Sequence, residues 1–76
     1  MNKIIALSIL RRLKPDLGKR YKVHRLGIFG SMARNEARPD SDVDVLVDID
    51  PSIGLQFVDL ATEIEQAFGM PVDVVS

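Results

Sequence analysis

Cysteine and tryptophan are both missing from this 76-residue chain. Without cysteine no disulfide can staple the fold and no thiolate can hold zinc or an iron–sulfur cluster. A domain this short buries only about 60% of the surface its unfolded chain exposes, so its core is thin and a ligand, metal or partner is expected to support it. Net charge is also nearly absent, with ten Lys and Arg against eleven Asp and Glu for a formal −1. Such a balance offers no general attraction to nucleic-acid phosphates or anionic membrane surfaces, and no direct nucleic-acid contact is expected. No apolar run approaches the about 20 residues that span a bilayer. Met1 to Leu10 begins like a leader, but Arg11, Arg12 and Lys14 stand where a signal peptide needs small residues for cleavage. A cytoplasmic location is the expectation.

What is present is a globular composition, 46% hydrophobic and 28% charged, with no internal repeat, low-complexity segment or linker. Asn2 stands as the cap of a helix whose apolar residues Ile5, Ile9 and Leu13, with Ala6, Leu10 and Leu17, recur at three- and four-residue spacing. Its polar side carries Lys3, Ser8, Arg11 and Lys14; Pro15 either kinks it or opens a second short turn, and the segment ends near Tyr21. Val23 to Phe29 reads as a strand, Ser31 to Glu36 as a short helix, and Ala37 to Ser41 as a loop. Asp42 to Ile49 alternates, with Val43, Val45 and Val47 on one face and Asp42, Asp44, Leu46 and Asp48 on the other. A helix follows with Phe57, Ala61, Ile64 and Phe68 as its apolar stripe and Asp59, Glu63 and Gln66 opposite, stopped by Gly69. Pro71 to Val75 is a last short strand. The order is αβαβαβ, and the expected architecture is a single small α/β domain over residues 1–76, a mixed β-sheet flanked by helices.

Three places in this order carry chemistry. A strand running into Gly30-Ser31 and a short helix presents free backbone N–H groups and a hydroxyl, an anion cradle in which a bare glycine lets the backbone approach a phosphate closely. Asp42 and Asp44 project from one face of a strand about 7 Å apart, an arrangement suited to hard cations such as magnesium, which favours oxygen ligands and substrate phosphates. Asp73 completes a three-carboxylate site if its strand lies beside the second one, where it could also take a proton from an acceptor hydroxyl.

The run GSMARNEARPDSDVDVLV, Gly30 to Val47, resembles the signature of the DNA polymerase β-like nucleotidyltransferase superfamily: Gly-Ser, ten residues, then Asp-x-Asp. Nearly the whole chain is similar to the minimal nucleotidyltransferases, which in prokaryotes are commonly the antitoxin halves of pairs with HEPN-domain toxins. The resemblance implies that Gly30 and Ser31 bind the triphosphate of ATP, that Asp42 and Asp44 hold Mg2+, and that Asp73 is the third catalytic and metal-binding acid. Arg34 and Ser41 are carried as further nucleotide-binding candidates, Arg34 with ion pairing as an equal alternative. It also implies transfer of AMP to a tyrosine of a HEPN-type ribonuclease toxin, silencing it. Asn35 departs from the glycine typical of relatives, and Asn is the residue after glycine that best tolerates a left-handed turn.

Asp40, Asp42 and Asp44 match the first half of a calcium loop, but Val45 replaces its glycine and Pro51 its bidentate glutamate. No GxxxxGK[ST] phosphate loop occurs. His24 has no second histidine or cysteine to complete a soft metal site and reads as structural or exposed. Lys22 and Arg25 read as solvated, and Asp48 and Asp50 as solubilising acids. A domain of this size has no room for a separate substrate lobe, so the acceptor is expected on a docking protein. Two alternatives stay open: an antitoxin that acts by binding alone, and a small-molecule nucleotidyltransferase whose homodimer builds an acceptor pocket across its interface.

Overall fold

The computed structural model describes residues 1–34 and 43–76, apart from the Ser31 side chain. The loop expected over 37–41, and with it Asn35, Glu36, Ser41 and Asp42, lies outside the described residues. Helix α1 spans Lys3–Tyr21, strand β1 Val23–Phe29, helix α2 Gly30–Ala33, strand β2 Val43–Ile49, helix α3 Gln56–Phe68 and strand β3 Val72–Val75, with a 3-10 turn at Pro51–Ile53. The αβαβαβ order holds. Among the described residues no helix is long and apolar enough to cross a membrane.

The strands form one mixed sheet in the order β1-β2-β3, β1 antiparallel and β3 parallel to β2. β2 is the central strand, and its two faces differ sharply. Val43, Val45 and Val47 are buried at 0 to 2% exposure, whereas Leu46 between them is 49% exposed. The buried row packs with Leu10 and Leu17 of α1 and with Leu60, Ile64 and Phe68 of α3 in one core. Both long helices therefore cover the valine face, and the face bearing Asp44, Leu46 and Asp48 carries neither.

Two details differ from the pattern in the sequence. Leu60, outside the Phe57, Ala61, Ile64, Phe68 stripe, is fully buried, while Phe57 is only half-buried. The stripe in contact runs Leu60, Ile64, Phe68 at four-residue spacing, the rotation that places α3 over both α1 and β3. Ile5 is likewise 48% exposed, and Ala6 takes its place against the core.

α1 begins where Asn2 accepts a bond of 2.9 Å from the Ile5 amide and closes on Lys22 in a left-handed conformation. It continues unbroken through Pro15. Proline lacks the N–H that the Arg11 carbonyl would accept, at a cost of about 3 kcal/mol inside a helix, and the buried Leu10 and Leu17 hold the two halves in line.

Glu63, expected on the solvated side of α3, instead ties α3 to α1. Its carboxylate accepts bonds from Arg20 (Nη1 to Oε2, 2.9 Å) and from the Tyr21 hydroxyl, and the Arg20 guanidinium lies 5.2 Å from the Tyr21 ring centroid. Arg20 also pairs with Asp16 one turn earlier, but the Asp16 side chain is 62% exposed against 31% for Glu63, so the tertiary link is the less screened of the two. Hydrogen bonding from Arg20, then from Tyr21, holds the Glu63 carboxyl below the usual glutamate value. A carboxylate lowered on folding stabilises the fold above its unfolded value of about 4.3 and loses that contribution as pH falls through its folded value. Glu63→Gln should accordingly lower the Tm by a few degrees at neutral pH, with the gap to wild type closing as pH falls through the lowered Glu63 value in thermal melts across a pH series. Pro15→Ala, conversely, should raise unfolding stability by about 1–3 kcal/mol in denaturant titration, because it restores the Arg11 carbonyl's partner.

Candidate active site

The strand pairing decides which acids meet. Asp44 lies opposite Phe29 on one side and opposite Asp73 on the other, so β3 sits beside β2 with the two aspartates in register. Neighbouring strands run about 4.8 Å apart, and side chains in register share a face. Val43 and Val45 point into the core. Asp44 and Asp73 therefore stand side by side on the face opposite the buried valines, Asp44 half-buried and Asp73 exposed.

Gly30 closes one end of this pair. Its φ of +71° is the left-handed region, and a Cβ there would overlap the Asp44 Oδ2 and fall 3.3 Å from its Cγ. Glycine is thus required twice, by its backbone conformation and by the carboxylate that fills the space a side chain would take. The sequence offered a different reason, close approach of a phosphate, since only the folded chain shows the positive φ and brings residues 30 and 44 together.

α2 follows as a single turn, its last residue closed by the Arg34 amide donating to the Gly30 carbonyl at 3.3 Å. A one-turn helix leaves its leading amides without helical partners, here at the end of the sheet where Asp44 lies. Lys3 Nζ donates to the Ala33 carbonyl at 3.3 Å and so fixes the start of α1 against this turn. Arg34 is exposed at the end of α2. Of the candidates from the sequence, Gly30, Asp44 and Asp73 are brought together. Ser41, Asp42 and the Ser31 side chain lie outside the described residues.

Two carboxylates in adjacent positions repel one another unless a cation lies between them. Their all-oxygen donor set fits a hard divalent ion such as Mg2+. Among the described residues no third histidine, cysteine or acid joins them.

Other charged groups are engaged away from this pair. Arg25 Nε donates to Asp48 Oδ2 at 3.3 Å, two side-chain rows down the sheet. Asp50 caps the 3-10 turn by accepting from the Ser52 amide at 2.8 Å, which lowers its carboxyl below the usual range. Lys22 Nζ donates to Ser52 Oγ at 3.2 Å. His24 is exposed at the irregularity between Val23 and Arg25.

A profile described as a nucleotidyltransferase domain matches residues 10–76. Protein adenylyltransferase MntA of Thermococcus cleftensis is 46% identical over 70 residues, covering 90% of this chain and 70% of that protein. Two proteins of Methanocaldococcus jannaschii, provisionally named protein adenylyltransferases, are similar too. One is 38% identical over 70 residues, covering 91% of this chain and 71% of that protein. The other is 36% identical over 73 residues, covering 91% and 72%. No solved structure matches at a significant level.

The Gly30 geometry separates binding from folding. Gly30→Ala should cost about 1–2 kcal/mol of stability, the penalty of a side chain at positive φ, yet weaken nucleoside triphosphate binding in magnesium by more than about tenfold because Asp44 is displaced. Calorimetric titration beside a denaturant melt measures both; a loss of affinity no larger than the stability change accounts for would count against the assignment of this corner.

Proposed function

The chain belongs to the nucleotidyltransferase family, and from that premise we propose that it acts, as one domain over residues 1–76, by moving AMP from ATP to a hydroxyl of a partner protein. The observation that carries this reading is the corner where Gly30, Asp44 and Asp73 converge. Gly30 and Ser31, with Arg34 and Ser41, bind the triphosphate. Asp42, Asp44 and Asp73 hold Mg2+, which when bound neutralises phosphate charge.

Asp73, the exposed member of the pair, faces the incoming hydroxyl and accepts its proton. The hydroxyl oxygen bonds to the α-phosphorus, the bond from that phosphorus to the bridging oxygen breaks, and pyrophosphate departs toward the amides of α2. The curated relatives named for protein adenylyl transfer support a protein as acceptor.

A tyrosine acceptor has to come from another molecule. This chain holds one tyrosine, Tyr21, whose hydroxyl is bonded to Glu63 and which lies at the far end of β1, about 20 Å of strand away from Asp44. We assign the partner as a HEPN-type ribonuclease toxin and this chain as its antitoxin, working in the cytoplasm.

Intact-mass measurement of a HEPN-domain protein offered as partner, after incubation with ATP and magnesium, should show AMP-sized increments with the wild-type chain. Asp44→Asn and Asp73→Asn should each cut the rate by at least about a hundredfold, since each removes a charge that acts in the transition state. A tight complex with no increment would make this an antitoxin that works by binding alone.

A further inference from the structure

The bare face of the sheet holds a feature that the phosphate corner does not use. A groove of about 530 Å³ opens one side-chain row from the Asp44–Asp73 pair, lined by Gly27, Leu46, Arg25, Asp48 and Ser76 among others. Its floor is Gly27, paired across the ladder with Leu46, which pairs in turn with Val75. Leu46 and Val75 are 49% and 41% exposed. Arg25 and Asp48 form a charged pair at the far end.

Gly27 sits mid-strand, where a glycine weakens the sheet and often marks close approach of a ligand or another chain. Neither backbone nor packing requires it: it is not among the positive-φ glycines, and a Cβ built there meets nothing within 4 Å. The missing side chain only deepens the groove.

We infer that this groove seats the acceptor, with an aromatic hydroxyl side chain of the partner protein lying over Gly27 against Leu46 and its hydroxyl reaching the Asp44–Asp73 row. The inference rests on the adenylyl-transfer reading. Direction favours the acceptor over the adenine base. In-line displacement needs attacking and leaving oxygens on opposite sides of the phosphorus. Gly30 and α2 lie beyond Asp44 at one end of the row, and the groove lies on the other side of it, toward Leu46 and Asp48. One row is about 7 Å, two residues of strand rise, close to the reach of a tyrosine from Cβ to hydroxyl. Aromatic rings pack favourably over strand glycines, and the Arg25–Asp48 pair meets charges on either side of the modified residue.

Gly27→Val fills the groove at a position open to a side chain, and Leu46→Lys alters its wall on the exposed face; neither residue holds nucleotide or metal. With the HEPN-domain protein that the wild-type chain modifies as probe, both variants should raise KM for it by about tenfold or more while Kd for ATP in magnesium and kcat stay within about threefold of wild type. Unchanged KM in both variants would overturn the inference. So would a fall in ATP affinity with KM unaltered, which would put the base in the groove, or a wild-type homodimer in sedimentation that Gly27→Val disperses, which would make the groove a contact between copies. No AMP transfer even by the wild-type chain would instead sink the adenylyl-transfer reading itself.

Discussion

Val43, Val45 and Val47 must be buried together for so short a chain to hold a core, and the two-residue period of a strand then leaves Asp44 only the opposite face. The rest of the molecule follows from that division. α1 and α3 gather on the valine side because it is the apolar side, and the hydrophobic residues of 76 positions suffice to cover one face of a three-stranded sheet. Among the described residues no helix covers the acidic face, for the same reason that the other is covered. Burial of unpaired carboxylates would cost far more than leaving them in water.

Gly30 links this division to chemistry. A chain leaving β1 at Phe29 must turn over the end of the sheet, and it does so at positive φ with the Asp44 carboxylate in the space of the absent Cβ. The turn that ends the strand thus brings the backbone amides of α2 to the end of the sheet where Asp44 and Asp73 stand side by side. Asp73 arrives there through α3, which crosses the core face and returns β3 parallel to β2.

The rigidity this arrangement needs comes from tertiary links at both ends of α1. Arg20 and Tyr21 hold its C-terminal end to Glu63 of α3, and Lys3 holds its beginning to the turn after Gly30. The absence of disulfides leaves packing and these polar contacts to position the sheet.

Much of this was legible in residue order. The alternation from Val43 to Asp48, the glycines at 30 and 69 and the Asn2 cap are local signals, and the strand from Val23 to Phe29 and the helix ending at Tyr21 follow from them. The Gly-Ser and Asp-x-Asp spacing marked the family. Tertiary structure alone decided that Asp73 pairs with Asp44, that Asp44 rather than only a phosphate excludes a side chain at Gly30, that Leu60 belongs to the core and that Glu63 joins two helices. Each of these depends on residues distant in sequence meeting across strands or helices. Periodicity tells which face of an element is apolar, but the partner that face or its opposite finds is set by how the whole chain packs.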